Sequence, residues 1–273
     1  MLLKVLRDIF SPDPSARLPA DEAALDRQMH ALVDEGRPAA ALALYDAAVA
    51  NGLEPRDGAF ESDYRSALEA TGTPPFPLRR RVRFHRLCAL LRGTDALDGD
   101  VAECGCFRGL SSFLLLSTIA RSRPGYRGEG YHVFDSFQGL GAPGAEDRVE
   151  GHEPGAERIR RMCQPGWFAA PEAEVRRNLS RFPAVAYHPG WIPASLGEAP
   201  ERRYRFVHLD LDLYEPTLAA LEYFFPRLVA GAALVCDDYG WPGGRRAVDR
   251  FCAERHVAAD VTPDRQAILR KPA

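Results

Sequence analysis

No stretch of this 273-residue chain approaches the roughly 20 apolar residues that a membrane-spanning helix needs. The densest apolar run, Phe113 to Ala120, is far shorter, so no membrane span is expected. The opening residues carry Lys4, Arg7 and Asp8 inside their apolar stretch. A secretory signal needs an uninterrupted apolar core and a small-residue cleavage site, so none is read here and a cytoplasmic protein is expected. Charge of one sign is also lacking: 35 Lys and Arg stand against 38 Asp and Glu, a formal charge of −3. A nucleic-acid binder should show a basic excess, so no nucleic-acid partner is expected. The six cysteines, Cys88, Cys104, Cys106, Cys163, Cys236 and Cys252, show no zinc-ligand spacing. They read as free thiols in a reducing compartment, with Cys104 and Cys236 as small buried residues. The dinucleotide fingerprint G-x-G-x-x-G is absent as well.

What is present falls into two parts. Residues 21–50 carry Leu25, Met29, Leu32 and Val33, then Leu42, Tyr45, Ala48 and Val49, at helical spacing. Asp21 is a candidate N-cap, Gly36-Arg37-Pro38 a turn, and Asn51-Gly52 a stop. The stretch looks like a single tetratricopeptide-type helical pair, which cannot bury its own face. It should cap the rest of the chain or pack on a second copy, and a homo-oligomer is expected. A third helix is expected over 60–70, and Thr73 to Pro77 reads as a linker, giving a helical segment over 1–75.

Over 76–273 the pattern changes. A helix from Arg79 to Arg92 precedes short apolar runs at Val101–Cys104, Tyr131–Phe134, Ala184–His188, Phe206–Leu209 and Ala232–Cys236. Helical segments fall near 111–121, 171–181, 215–228 and 243–254. This alternation predicts an α/β fold: a mostly parallel sheet covered by helices on both faces. The runs Val257–Thr262 and Gln266–Leu269 read as a C-terminal antiparallel hairpin at its edge. Residues 136–170, rich in Gly, Pro and charge, read as a lid.

Ligands of open α/β sheets bind beyond the carboxyl ends of the strands, so the residues that follow each run matter most. After the first run stand Glu103, Gly105 and Gly109, opening a helix at Ser111 and Ser112, where helix N-terminal donors are free. After the second stands Asp135, a carboxylate suited to the hydroxyls of a ribose. Together they suggest a nucleoside cofactor. An acid beside the turn repels a pyrophosphate but suits a ligand with an ammonium and a sulfonium, which S-adenosylmethionine carries.

The fourth run ends in His208-Leu209-Asp210-Leu211-Asp212-Leu213-Tyr214, the fifth in Cys236-Asp237-Asp238-Tyr239. A gap of 27 residues between Asp210 and Asp237 suits one strand–helix–strand unit, which brings Asp210, Asp237 and Asp238 to one sheet edge. Converging carboxylates repel unless they protonate or hold a cation, and oxygen ligands favour magnesium, manganese or calcium over zinc.

The runs ECGCFRGLSS, FDSFQGL, WFAAPEAEVRRNLSRFP, HPGW, HLDLDLYEPTLAALEYFFPRLVAGAALVCDDYG and GGRRAVDRF resemble the macrocin O-methyltransferase family over roughly residues 79–273. These are metal- and S-adenosylmethionine-dependent enzymes that methylate sugar hydroxyls on natural products. Catechol O-methyltransferase shares a more distant version of the acidic pattern. The resemblance implies a Rossmann-like class I methyltransferase fold and a small-molecule hydroxyl acceptor carrying a sugar. It implies Glu103, Gly105 and Gly109 lining the cofactor, Ser111 and Ser112 near its carboxylate, Asp135 on the ribose and Trp191 near the adenine. It implies Mg2+ (or Mn2+) on Asp210, Asp237 and Asp238.

Asp210 is the first candidate for a general base and His208 the second; Asp212, Tyr214 and Tyr239 flank the site, and His152 and His188 are weaker candidates. The D-x-D of Asp210 and Asp212 also fits a metal-dependent nucleotide-sugar glycosyltransferase. The second acidic pair and the upstream E-x-G-x-x-x-G favour methyl transfer. An Asp-nucleophile phosphatase fails at position 214, which is Tyr. A nonenzymatic role through the helical N-terminus is the remaining alternative.

Overall fold

The protein is described by a computed structural model over residues 22–75, 77–149, 156–197 and 199–272. Asp21 and His152 lie outside the described residues.

Among the described residues, four helices come first: α1 (Glu22–Asp34), α2 (Pro38–Ala50), α3 (Gly58–Thr71) and α4 (Leu78–Arg92). Pro38 opens α2, where its missing N–H leaves no unsatisfied donor. Helix α3 begins earlier than its hydrophobic period suggests, because the Asp57 carboxylate accepts from the amides of Ala59 and Phe60, both at 3.1 Å. Leu25, Met29, Tyr45, Tyr64, Leu87 and Leu91 are buried in one cluster with residues of the sheet and the next helix. The helical pair therefore caps this same chain. Arg81, 1% exposed, fastens it: the guanidinium donates to Tyr45 Oη (3.1 Å), the Pro55 carbonyl (2.7 Å) and Glu61. A buried charge needs such paired acceptors.

The sheet strands are β1 (Asp100–Cys104), β2 (Tyr131–Asp135), β3 (Ala186–Pro189), β4 (Tyr204–Leu209), β5 (Leu228–Cys236), β6 (Ala259–Val261) and β7 (Ala267–Arg270). Their order is β3-β2-β1-β4-β5-β7-β6. β1 to β5 are parallel, and β7 runs antiparallel to both β5 and β6. The connecting helices are α5 (Leu110–Ser122), α6 (Ala156–Met162), α7 (Glu172–Asn178), α8 (Ala194–Gly197), α9 (Tyr214–Phe224) and α10 (Pro242–Arg255). The mostly parallel sheet and the antiparallel C-terminal hairpin agree with the sequence pattern.

Two details differ. β5 starts at Leu228, so Gly231 lies inside the strand at φ +80°, and the register against β4 shifts there. A left-handed residue in a strand marks an irregularity of this kind. The 136–170 segment also contains a short helix, α6. Strand order reverses between β1 and β4, the crevice where open α/β sheets take their ligands.

Candidate active site at the switch between β1 and β4

The turn after β1 is built for close approach. Gly105 sits at φ +81°, and a Cβ there would stand 1.9 Å from the Asp210 carbonyl oxygen. Its amide donates to the Phe134 carbonyl (2.9 Å), and the Asp210 amide donates to the Cys104 carbonyl (2.8 Å). The turns after β1, β2 and β4 are thus locked together. Gly109, at φ +88°, is the N-cap of α5. The Asp135 carboxylate organises the same turn: Oδ2 accepts from the amides of Cys106 (2.7 Å) and Phe107 (3.3 Å), and Oδ1 from Phe137 (2.7 Å).

Above these turns lies a cavity of about 430 Å³, a size suited to a small-molecule ligand. Gly105, Ser111, Asp135, Trp191, Asp210 and the Asp237-Asp238 pair all face it. Trp191, 42% exposed, stands at the mouth against Gly141. Gly109 forms the helix start just outside the lining.

Glu103 and Ser112 are placed elsewhere. Glu103 lies on the sheet face that carries Tyr131 and His208, is fully buried, and sits below the cavity. Its carboxylate accepts from Tyr131 Oη (2.8 Å), His208 Nδ1 (3.1 Å) and Ser112 Oγ. Burial pushes the Glu103 carboxyl up, but the bond from His208, its charge and the two serine hydroxyls outweigh that and hold it below the usual range. For His208 burial works downward, and the Glu103 carboxylate outweighs it, so the imidazole is held above its ordinary value. His208 is fully enclosed and does not line the cavity. Its Nε2 has no hydrogen-bond partner.

The acidic residues converge. One carboxylate oxygen from each of Asp210, Asp212 and Asp238 lies within 4.8 Å of the others, and a ring nitrogen of His208 lies as close to carboxylate oxygens of Asp210 and Asp237. Asp212 adopts φ +59°, an uncommon conformation for a residue with a side chain, and its amide donates to Asp238 Oδ2 (2.9 Å). Burial, then the neighbouring carboxylates, push Asp210, Asp212 and Asp238 above the ordinary carboxylate range. All-oxygen donors under mutual repulsion, with an orphaned buried imidazole nitrogen beneath them, fit a hard divalent cation.

These shifts carry a stability consequence. A carboxyl whose folded pKa is raised contributes fully below its unfolded value, about 4, and loses that contribution as pH rises through the folded value. Near neutral pH the metal-free cluster therefore costs stability. Asp212→Asn should raise the neutral-pH Tm of the metal-free protein by about 3 °C, for relief of about 1 kcal/mol. Asn also tolerates the left-handed conformation. Melting curves across pH check this: the gain should vanish in acid, and a gain independent of pH would contradict the repulsion.

Two site residues gave no local sequence signal. Arg83 on α4 reaches Asp237 across 154 positions, and Gln266 Nε2 donates to Asp237 Oδ1 (2.7 Å) from the turn before β7. Other sequence candidates point away. Tyr239 Oη donates to Asp249 (2.8 Å), and Tyr214 Oη accepts from Arg250 (2.9 Å). His188, a weaker candidate by sequence, stacks on Phe134 with centroids 4.3 Å apart, and burial lowers its pKa to about 4.

Comparison with known proteins gives this geometry a family. The model of the family described as Macrocin-O-methyltransferase (TylF) matches residues 56–268. The chain is 35% identical over 161 residues to the 8-demethyl-8-(2,3-dimethoxy-alpha-L-rhamnosyl)-tetracenomycin-C 4'-O-methyltransferase of Streptomyces olivaceus, over 58% of this chain and 59% of that protein. Against the mycinamicin III 3''-O-methyltransferase of Micromonospora griseorubida it is 32% identical over 225 residues, 78% of this chain and 84% of that protein. It thus spans less than two thirds of the first relative and more than two thirds of the second. Among solved structures, the O-methyltransferase NovP matches with a TM-score of 0.57 at 27% identity, covering 70% of this chain and 80% of that one. With its matched region reaching from α3 into β7, this chain belongs to the macrocin O-methyltransferase family.

Proposed function

We propose that this protein is a metal-dependent O-methyltransferase that moves a methyl group from S-adenosylmethionine to a sugar hydroxyl of a natural product. The carrying observation is that Asp210, Asp212, Asp237 and Asp238 face the same cavity as the Gly105 turn and Asp135. Both relatives described above are named for methylation of natural products, one of them a rhamnosyl derivative.

In this reading Gly105 admits the cofactor close to the backbone, Ser111 lies near its carboxylate, Asp135 faces the ribose, and Trp191 covers the adenine. Three amides already fix the Asp135 carboxylate, and the one remaining lone pair, on Oδ1, is open to a hydroxyl donor. Glu103, expected to line the cofactor, lies outside the cavity and is instead the buried counter-ion that holds His208 under the floor. Asp210, Asp237 and Asp238 would hold the divalent ion, which when bound lowers the pKa of an acceptor hydroxyl and fixes its orientation. Methyl transfer is an in-line displacement: the acceptor oxygen bonds the methyl carbon as the carbon–sulfur bond breaks, and the hydroxyl proton passes to a base. In this reading Asp210, whose carboxylate faces the cavity, receives that proton. Locking of the three turns supplies the positioning that such a displacement needs.

The test is methyl transfer to O-glycosides, their aglycones and simple catechols, read by mass spectrometry with and without a chelator. Methylated glycosides are expected, with activity lost to the chelator and restored by magnesium or manganese. Methylation of catechols in preference to glycosides, or turnover indifferent to the chelator, would contradict this function.

A further inference from the structure

Arg83 is one of the charged residues that line the cavity. It projects from α4, outside the sheet, and its guanidinium binds both carboxylate oxygens of Asp237 and that residue's backbone carbonyl. The two side chains are 18% and 10% exposed, so the pair is largely withdrawn from water. The Asp237 carboxylate is also held by Gln266, which is fully buried and accepts in turn from Arg86 (2.8 Å). Arg86 also binds Asp264. The Asp237 carboxylate is thus clamped by a planar cation and a buried amide.

Charge makes this placement consequential. Four carboxylates converge here, and the Arg83 guanidinium lies in the field of Asp237, Asp238 and Asp210 together. A guanidinium carries one delocalised charge in a rigid fork, which neutralises one carboxylate and leaves the others to repel. A divalent ion concentrates twice the charge at a point and draws in several oxygens at once. On Asp237 the two compete for the same oxygens.

We infer that Arg83 is the resident counter-cation of the acidic cluster, holding Asp237 when no divalent ion is present and giving it up when one binds. The inference rests on the metal reading of the site given above. It makes Arg83 a positioning residue that sets how tightly the cluster takes a metal, without being a ligand itself.

Calorimetric titration with Mn2+, on cofactor-free wild type and Arg83→Met at one pH and ionic strength, reads this directly. Arg83→Met should bind Mn2+ tighter, on the order of tenfold, because the ion no longer displaces a paired cation. A second measurement needs no variant: phenylglyoxal labelling of Arg83 in the wild type, followed by peptide mass spectrometry, should quicken when Mn2+ saturates the site. Equal or weaker Mn2+ binding by Arg83→Met, or labelling unchanged in a wild type that binds Mn2+, would overturn the exchange and leave the metal site standing. Failure of both proteins to bind Mn2+ would remove the metal site and the exchange together.

Discussion

Asp210→Asn should lower kcat by about 1,000-fold, in the middle of the range for loss of a positioned acid or base. The affinity for S-adenosylhomocysteine should stay unchanged. Asp210 is shared by both groups of converging donors, one with Asp212 and Asp238, the other with His208 and Asp237. Its backbone, by contrast, serves the cofactor side: the amide bonds Cys104 and the carbonyl lies against Gly105. Asn preserves the shape and those backbone contacts while removing one charge. Because burial and the neighbouring carboxylates raise the Asp210 pKa, the substitution should also make the metal-free protein more stable at neutral pH. Activity and stability then move in opposite directions, which separates loss of chemistry from loss of fold. Single-turnover methyl transfer and thermal melting measure the two. Near-normal turnover in Asp210→Asn would remove Asp210 from the reaction.

Gly105→Ala should cost about 3 kcal/mol or more of stability, through combined backbone strain and overlap. That corresponds to a fall in Tm of about 6–12 °C at 2–4 °C per kcal/mol. An alanine Cβ would meet the Asp210 carbonyl oxygen at 1.9 Å and its carbon at 2.9 Å, both backbone atoms that cannot rotate away. Any relief moves the turn after β1, the turn after β4, or both, and cofactor affinity should fall with the Tm. Gly36→Ala supplies the comparison. Gly36 also has positive φ, at +74°, but a Cβ there meets nothing within 4 Å. Strain alone should then cost about 1 kcal/mol. Equal melting losses for the two variants would show that the contact with Asp210 contributes nothing.

Features set by local rules were readable in the sequence. Alternating apolar runs placed β1, β2 and β4 close to their observed positions, and the residues just past their ends, Gly105, Asp135 and Asp210, line the cavity. The 27-residue spacing put the Asp237-Asp238 pair beside Asp210, as parallel neighbours β4 and β5 require. Glu103 was harder to place, although the two-residue period contains the answer. Ala102 and Cys104 face one side of the sheet, whereas Val101 and Glu103 face the other, within the sheet and beside His208 on β4. It therefore lies one layer below the cavity, and Ser112 turns inward to meet it. Arg83 and Gln266 carry no sequence signal, because their partner is brought to them by packing: α4 folds over the sheet edge, and the β6–β7 hairpin returns beside β5. Gly231 shows the same limit, since a left-handed residue inside a strand reads locally as a turn.

In the proposed function, the cavity above β1 and β4 takes S-adenosylmethionine next to a carboxylate cluster that holds a divalent ion. The most direct measurement is calorimetric titration of the wild-type protein with S-adenosylhomocysteine, with and without magnesium. Micromolar binding in both conditions is expected, with a separate magnesium isotherm that Asp210→Asn abolishes. Absence of S-adenosylhomocysteine binding in either condition would contradict the claim and leave the Gly105–Gly109 turn a structural joint between strand and helix.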